Sequence, residues 1–421
     1  MTTTDAYRPR IADVQLQQLL EAQGAVVIEG PKACGKTWTA SNLAASRVDV
    51  DIDPTVPLAM ETDPRLLLQG ATPRLLDEWQ TRPTIWDWVR REVDARHQTG
   101  QFILTGSATP SQDARIHSGA GRIGWLRMRP MSLWESGDST GQVRLNDLFE
   151  QANIASAPST HTIPDLARLV VRGGWPETLN MSAATAQTYS QSYLRTMSEV
   201  DLSKFTGQRR DPVRVRRLLQ SLARAESAET SVRSLTTDTG QGDDQTMSRD
   251  TVIDYLAALE RSMVTEDQPA WSVSLRSRAE LRNAPVRRLA DPSLAAAALG
   301  AGVDRLMADL NTLGLLFESL VVRDLRTYAQ ALGGNVYHYR DSNNHEIDAV
   351  IELADGTWGA CEIKLGVGAV DDATESLHDA VNQIDTTKAG KPAFLAVITG
   401  NGLSTRRKDG TYVVPIGALR P

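Results

Sequence analysis

Eight residues near the amino terminus have the types and the spacing that bind the phosphates of a nucleotide. Residues 30–37 read GPKACGKT, which fits the pattern G-x-x-x-x-G-K-[ST], between a short apolar run and a helical pattern. Glycines let backbone N–H groups face the phosphates, and the amino end of the helix adds partial positive charge. We therefore predict a P-loop that binds ATP and Mg²⁺ through Gly30, Pro31, Lys32, Ala33, Cys34, Gly35, Lys36 and Thr37.

Four side chains are expected to carry the chemistry at this loop. Lys36 reaches the β- and γ-phosphates, and the hydroxyl of Thr37 binds Mg²⁺. A P-loop also needs an acidic partner, and a short leucine run ends in Asp77 and Glu78 about 40 residues later. We expect Asp77 to hold the Mg²⁺ through water and Glu78 to polarise the attacking water.

Two further positions could complete the nucleotide site. A strand pattern at residues 101–105 ends in Thr105, and Ser107 follows shortly after it. Either side chain could sense the γ-phosphate, and the alternative is that the two residues belong to an ordinary turn at the end of the strand. Arg122 follows a glycine and could act as an arginine finger, in cis or in trans. A finger in trans would require a homo-oligomer, and the sequence alone does not decide this.

A second group of chemical side chains lies near the carboxyl terminus. Asp348 and the pair Glu362 and Lys364 lie on two candidate strands, 14 residues apart, which is consistent with a hairpin that joins them. Carboxylates beside a lysine can bind Mg²⁺ and activate water against a phosphodiester. Asp348 and Glu362 would be the ligands, Glu318 an outer ligand and Lys364 the charge stabiliser, while Gln383 could orient the lysine or the substrate.

Two other interpretations of these carboxylates stay open. The pattern [DE]-x-K is common by chance, so the hairpin could be an amphipathic one with ordinary charges on its polar face. A nuclease-like scaffold that has lost cleavage is the second alternative. The ordered set of a helical glutamate, a strand aspartate and a strand Glu-x-Lys favours a nuclease-like fold over an ordinary hairpin and leaves cleavage open.

The elements that must position these residues fall into three parts. Residues 1–140 alternate strands and helices, which predicts an α/β domain with a doubly wound parallel sheet of the P-loop NTPase type. Residues 161–300 read mostly as helices and predict a helical or winged-helix-like middle. Residues 301–421 predict a small α/β domain, which would carry the nuclease-like group.

Charge and composition limit the classes of partner. The net charge of −7 excludes a histone-like polycation, but arginines cluster in residues 208–224 and 275–289, where they could meet the phosphates of DNA or RNA. Pairing with neighbouring acids is the alternative. Residues 248–256 resemble the second helix of a helix-turn-helix, and contact with a protein or plain scaffolding is as good an interpretation as contact with DNA. The polar insertion 236–247 precedes this helix and argues against a role in reading DNA sequence.

Location follows from what the sequence lacks. No stretch approaches 18 uninterrupted apolar residues and the first ten residues have no apolar signal region, so we expect neither a membrane span nor secretion. Cys34 and Cys361 are too few for a disulfide framework, which favours a reducing cytoplasm.

The chain as a whole resembles a widespread bacterial and archaeal family of P-loop ATPases. Besides the P-loop, the matching strings are YRPR at 7–10, LLDEWQ at 75–80, LTGS at 104–107, RGGWPE at 172–177, LGLLFE at 313–318, EID at 346–348 and EIK at 362–364. Members of this family join an AAA-type ATPase domain to a carboxyl-terminal domain of unknown function with a restriction-endonuclease-like, PD-(D/E)-x-K end.

This resemblance implies an ATP-binding, Mg²⁺-dependent ATPase that couples nucleotide turnover to a nuclease-like domain acting on nucleic acid. The alternative is a nucleotide-gated interaction module or DNA-binding regulator whose nuclease-like domain is inactive. Both alternatives share the P-loop and differ in the chemistry expected of residues 301–421.

Overall fold

The short apolar runs of the amino-terminal region form a parallel sheet. In the computed structural model, which describes residues 7–106, 119–202, 210–240, 247–272 and 284–421, its strands are β1 Ala25–Glu29, β2 Ser46–Asp49, β3 Arg74–Asp77, β4 Phe102–Gly106 and β5 Ile123–Arg127. Among the described residues the strand order is β2-β3-β4-β1-β5, and every neighbouring pair is parallel. The helices of this region are α1 Ile11–Ala22, α2 Lys36–Leu43, α3 Thr55–Thr62 and α4 Ile85–Arg96. This confirms the predicted α/β fold class.

The core of this sheet lies in its central strands. Val26 and Ile28 in β1 and Leu104 in β4 are fully buried, as expected for parallel strands covered on both faces. Trp79 and Trp86 stack with ring centroids 5.4 Å apart and extend the core beyond the sheet. The sheet therefore gives rigid support to the loops at its carboxyl edge.

The middle of the chain is helical, as predicted. After α5 Leu133–Ser136, β6 Val143–Arg144 and α6 Leu145–Phe149, the chain forms α7 Ile163–Arg172, α8 Ala183–Thr196 with a π-helical turn at Met197–Asp201, α9 Pro212–Arg224, β7 Ala228–Glu229, α10 Val232–Thr239, α11 Arg249–Arg261, β8 Val286–Arg287, α12 Pro292–Ala298 and α13 Val303–Ala308. The side chains of Thr162, Asp211 and Asp291 cap α7, α9 and α12, which explains where these helices begin.

A separate mixed sheet forms the carboxyl-terminal part. Its elements are α14 Leu310–Ala331, β9 Asn335–Arg340, β10 Glu346–Glu352, β11 Trp358–Lys364, α15 Val370–Asn382, α16 Thr386–Ala389, β12 Phe394–Thr399, β13 Thr405–Arg406, β14 Tyr412–Pro415 and β15 Leu419–Arg420. The described strands follow the order β13-β14-β12-β11-β10-β9, with β9, β10 and β11 antiparallel and β12 parallel to β11. Helix α15 makes the crossover that a parallel pair requires.

By packing, the described residues divide into two compact units. The first contains residues of Met1–Pro130, Leu202–Arg209 and Ala258–Val264, and the second contains residues of Met131–Asp201, Arg210–Ala257 and Thr265–Pro421. The second unit thus holds most of the helical middle together with the carboxyl-terminal sheet. Within the described part of the chain, no helix combines the length and the apolar character needed to cross a membrane.

The string RGGWPE belongs to the packing of the second unit. The indole of Trp175 is buried and donates to Ser293 Oγ at 3.0 Å, and the Gly174 N–H donates to Asp291 Oδ2, also at 3.0 Å. Asp291 in turn pairs with the buried Arg323 at 2.7 Å. A Cβ at Gly174 would lie only 2.1 Å from the Met131 carbonyl oxygen, so no larger residue fits without moving the backbone.

This close approach makes Gly174→Ala destabilising. Overpacking against backbone should lower the free energy of unfolding by about 1–3 kcal/mol. The matched control is Gly314→Ala: Gly314 lies inside α14 with no atom within 4 Å of its added Cβ. That substitution should raise stability by up to about 1 kcal/mol because alanine favours helix. Urea unfolding followed by circular dichroism measures both, and equal effects of the two substitutions would contradict the packing role.

Candidate functional site

The P-loop is held in shape by its own lysine. Lys36 is buried, and its ammonium donates to the carbonyl oxygens of Gly30 and Pro31, both at 2.9 Å. Gly35 has φ 102°, a left-handed conformation that glycine adopts without strain, and it directly precedes α2. The loop therefore wraps around the amino end of α2, where the first N–H groups of the helix are available to a phosphate.

The string YRPR fastens this loop from outside. The Arg10 guanidinium is buried and donates to the carbonyl oxygen of Cys34 at 2.8 Å and to that of Arg129 at 2.9 Å. The hydroxyl of Tyr7 contacts Asp13 and lies 3.2 Å from Thr39 Oγ1 on α2. Sequence reasoning used this string only for the resemblance, yet it ties α1 to the P-loop.

The predicted acidic partner lies beside the loop. Asp77 ends β3, which pairs in register with β4 so that Asp77 is opposite Thr105. Its Oδ1 accepts hydrogen bonds from the hydroxyl of Thr37 at 3.0 Å and from that of Thr105. The structure thus brings Thr37, Asp77 and Thr105 together at the carboxyl edge of the sheet, while Ser107 lies outside the described residues.

Glu78 is oriented by a residue that sequence reasoning missed. Its backbone is left-handed, with φ 52°, and its Oε2 accepts from Gln80 Nε2 at 2.5 Å. A Cβ at Gly106 would lie 2.3 Å from Gln80 Oε1, so the glycine at the end of β4 makes room for this amide. The string LLDEWQ contained the signal, since Gln80 is its last residue.

Arg122 is placed away from the P-loop of its own chain. It precedes β5, and its carbonyl accepts from the N–H of Ala25 at the amino end of β1, whereas the P-loop follows the carboxyl end of β1. Its Nε pairs with Asp94 Oδ1 at 2.5 Å. The interpretation as a finger in cis is therefore wrong, because the parallel register puts Arg122 at the opposite edge; a role in trans stays a prediction.

Arg47, in contrast, reaches the site and was not predicted. Its guanidinium pairs with Asp77 Oδ2 at 2.9 Å from the neighbouring strand β2. Nothing in the sequence distinguishes this arginine from the others, because its role depends on the β2–β3 register. It gives Asp77 a cationic partner within the chain.

The second predicted group also comes together. Antiparallel pairing of Ala349 with Cys361 puts Asp348 next to Glu362, as the 14-residue spacing predicts. The ladder between β9 and β10 shifts register after Ile347, and Asp348 Oδ2 accepts from the Ile363 N–H at 2.8 Å. The Lys364 ammonium lies 2.9 Å from Glu362 Oε2 and 3.7 Å from Asp348 Oδ2.

Burial sets the protonation of this group. It raises the pKa of Glu362 to about 9, with the charge of Asp348 adding to the effect and Lys364 opposing it. It raises the pKa of Glu318 to about 7, again with Asp348 adding and Arg288 opposing. For Lys364 burial lowers the pKa, but the neighbouring carboxylates outweigh it and raise the pKa above its usual value. Burial thus disfavours the charged form of Glu362, and the lysine beside it opposes this effect.

Arg288, from the helical middle of the chain, contacts Glu318 near the Asp348–Glu362–Lys364 centre. This buried guanidinium pairs with Glu318 Oε1 at 2.6 Å and donates from Nε to Gln268 Oε1 at 2.8 Å. The Gln268 amide then donates to the Asp348 carbonyl at 2.9 Å. Glu318 is therefore held by an arginine, and its role as an outer metal ligand stays a prediction.

The predicted metal site and the predicted role of Gln383 can both be compared with the structure. Among the described residues, no group of three or more His, Cys, Asp or Glu side chains is arranged to hold a metal ion. Asp348 and Glu362 are bridged by Lys364 instead. Gln383 is exposed just after the carboxyl end of α15, a helix of 13 residues that begins near Lys364, and so it lies at the far end from the lysine. Gln383 is therefore not placed to orient Lys364, and a role in orienting the substrate stays a prediction.

Most described arginines of the two clusters are paired with acids. The pairs are Arg210–Asp254, Arg214–Asp211, Arg216–Glu199, Arg224–Asp238, Arg287–Asp267 and Arg288–Glu318. This is the alternative to a free cationic surface for nucleic acid. Arg209, Arg276, Arg278 and Arg282 lie outside the described residues. DNA or RNA as a partner therefore stays a prediction.

The helix-turn-helix-like stretch has the strand pairing that a winged helix needs. Helix α9 is followed by β7, α10 and α11, and β7 pairs with β8, next to which Thr265–Leu289 and Gln268–Val286 bridges form. The exposed side of α11 mixes Arg249 with Asp250 and Ile253. Such a mixed face gives no concentrated positive charge for a phosphate backbone.

Three family models match successive parts of the chain. Residues 22–136 match a model described as an AAA domain, residues 163–305 match a domain of unknown function, DUF8612, and residues 313–419 match another, DUF4143. The first match covers the P-loop, β3 and β4 described above. Residues 22–136 are thus similar to AAA domains, in agreement with the P-loop at residues 30–37. The nuclease-like fold stays a prediction, because the family matched there has no assigned function.

One of several similar solved structures covers a large part of the chain. It is the Walker-type ATPase PABY2304 of Pyrococcus abyssi, at 12% sequence identity and a TM-score of 0.43, with 70% of this chain and 97% of that chain covered. No curated protein matches the sequence.

A buried carboxyl beside Arg288 makes stability depend on pH. Burial raises the pKa of Glu226 to about 7 from an ordinary 4.5, although Ser319 and the Leu289 N–H donate to it. The folded state holds the proton of Glu226 more tightly than the unfolded state does. The resulting contribution to the free energy of unfolding is complete below pH 4.5 and is lost as the pH rises through 7.

Glu226→Gln should therefore gain stability relative to the unsubstituted protein between pH 5 and pH 8, by about 1–3 kcal/mol. Denaturant unfolding at the two pH values measures this difference. The control is Glu375→Gln, since Glu375 is exposed on α15 and its substitution should leave the pH profile unchanged. A pH-independent difference for Glu226→Gln would contradict the raised pKa.

Proposed function

We propose that this protein is a Mg²⁺-dependent ATPase whose nucleotide turnover is coupled to a nuclease-like carboxyl-terminal centre. The observation that carries the ATPase proposal is the convergence of Lys36, Thr37, Asp77 and Thr105 at one edge of a parallel sheet. That arrangement fits ATP and Mg²⁺: an ammonium, a hydroxyl and a carboxylate surround the amino end of α2.

Each side chain has a distinct role in this proposal. Thr37 and Asp77 would hold Mg²⁺, and a bound Mg²⁺ supplies charge neutralisation on the β- and γ-phosphates. Lys36 exchanges its carbonyl partners for phosphate oxygens. Glu78, held by Gln80, accepts the hydrogen bond of the attacking water and aims it at the γ-phosphate.

The carboxyl-terminal centre supports a second step on a phosphodiester. Asp348 and Glu362 offer two adjacent carboxylates, and Lys364 lies within 4 Å of both, where it could stabilise developing negative charge. Nucleic acid is the client that such a centre would cut. The proposal extends to three domains, residues 1–140, 161–300 and 301–421, of which the helical one lies between the other two in the sequence.

The alternative is a nucleotide-gated interaction module with an inactive nuclease-like domain. The observation in its favour is that the acids of the centre already have basic partners, Lys364 for Asp348 and Glu362, and Arg288 for Glu318. A metal ion would have to compete with these cations. The two proposals thus differ in whether Mg²⁺ can bind Asp348 and Glu362 in competition with Lys364.

Lys36→Ala should abolish ATP hydrolysis, and Glu78→Gln should lower kcat by about 100-fold or more while ATP binding persists. The first removes the phosphate-binding cation, and the second removes only the group that orients water. Phosphate release and equilibrium binding of a fluorescent ATP analogue measure the two effects. Lys408→Ala, at an exposed lysine, is the matched control and should hydrolyse ATP normally.

If the second centre cleaves, Asp348→Asn and Lys364→Ala should each remove Mg²⁺-dependent cleavage of DNA or RNA, while Glu375→Gln should retain it. Asp348 supplies a metal ligand in this proposal, and Lys364 stabilises charge on the phosphate. Gel assays on duplex, single-stranded and branched substrates, with and without ATP, measure it. Intact substrate in every case, together with normal ATP hydrolysis, would favour the regulatory alternative.

A further inference from the structure

The acid that ends β3 carries an arginine in the described structure. Arg47 NH2 lies 2.9 Å from Asp77 Oδ2, and the Asp77 side chain is only 8% exposed. Asp77 Oδ1 already accepts from Thr37 and Thr105. Both oxygens of the carboxylate are therefore engaged, one by two hydroxyls and the other by a guanidinium.

Arg47 is also attached to a second acid outside the P-loop. Its Nε donates to Asp49 Oδ1 at 2.6 Å, and its NH1 donates to Ser41 Oγ at 3.2 Å. The Arg47 side chain is 42% exposed, far more than Asp77. The guanidinium can thus leave Asp77 and stay paired with Asp49, which an arginine held only by Asp77 could not do without losing its partner.

Resting on the proposed ATPase function, we propose that Arg47 is a resident counterion of the Mg²⁺ site. It neutralises Asp77 when no metal is bound and is displaced towards Asp49 when Mg²⁺ and nucleotide bind. Arg47 contacts Oδ2 of Asp77 and Thr37 contacts Oδ1, so a Mg²⁺ ion held by Thr37 and Asp77 would lie close to the guanidinium. Because two cations beside one buried carboxylate repel each other, Arg47 competes with Mg²⁺ for Asp77. Arg47 is a positioning residue that sets the Mg²⁺ concentration at which nucleotide is held.

The competition has opposite consequences with and without metal. Without Mg²⁺, Arg47 shields the negative charge of Asp77 from the nucleotide phosphates and supports binding of metal-free ATP. With Mg²⁺, removing Arg47 frees Asp77 for the hydrated ion. An ordinary exposed ion pair would change neither quantity, since such pairs contribute little to stability.

The experiment compares Arg47→Ala with Arg65→Ala. Arg65 forms a similar ion pair with Asp63 at 2.8 Å in the same unit, without contact to Asp77, and serves as the matched control. A fluorescent ATP analogue is titrated with each full-length protein in EDTA and at increasing Mg²⁺. For Arg47→Ala we expect the half-saturating Mg²⁺ concentration to fall by about 3–10-fold and the affinity for metal-free analogue to fall several-fold. Arg65→Ala should behave as the unsubstituted protein.

The outcomes separate this inference from the proposed function. If the unsubstituted protein binds the analogue with Mg²⁺ and Arg47→Ala has the same Mg²⁺ midpoint, the counterion role is overturned while the ATPase proposal stands. If the unsubstituted protein binds no nucleotide at any Mg²⁺ concentration, the proposed function itself fails. Should circular dichroism show Arg47→Ala to be unfolded, Arg47→Gln, which keeps a polar side chain without the charge, carries the same comparison.

Discussion

The parallel register of the amino-terminal sheet is the constraint on which the nucleotide site depends. Because β1, β3 and β4 all point the same way, their carboxyl ends meet at one edge, and the residues that end or follow these strands must converge. Lys36, Asp77 and Thr105 are 28 or more residues apart in the chain, yet backbone hydrogen bonds fix them within contact of one another or of Thr37. The same register puts Arg122, which precedes β5, at the opposite edge of the sheet from the P-loop of its own chain.

The carboxyl-terminal centre depends on a different constraint, which is the cost of burying charge. Glu226 and Glu362 are buried and Glu318 is mostly buried, and unpaired carboxylates in such surroundings are strongly disfavoured. Arg288 and Lys364 compensate part of this charge, and burial raises the pKa of each of the three carboxyls. Arg288 comes from the β8 segment of the helical middle, so the centre is completed by residues that lie outside 301–421. The packing unit therefore joins two stretches that the sequence pattern and the family matches divide.

Local patterns were predictable, and long-range ion pairs were not. The P-loop, the acid after β3 and the Asp348–Glu362 hairpin follow from short spacings, because a strand or a turn fixes neighbours directly. The partners Arg47 and Arg288 are one residue type among many identical ones, and only tertiary register decides which acid each meets. The string RGGWPE was noticed as a resemblance, but its reason is the close approach of Gly174 to backbone, which no sequence pattern shows.

Arginine and lysine suit different positions in these contacts. Arg288 ties three acceptors at once, from Ser227, Gln268 and Glu318, and a planar fork of five donors can do this where an ammonium cannot keep the geometry. Lys36 and Lys364 instead present a compact charge on a flexible stem. Lys36 donates to two carbonyls that phosphate oxygens could replace, and Lys364 lies between two carboxylates. Arg288 thus fixes the framework around the carboxyl-terminal centre, whereas in the proposed function Lys36 exchanges its carbonyl partners for phosphate oxygens and Lys364 faces the substrate phosphate.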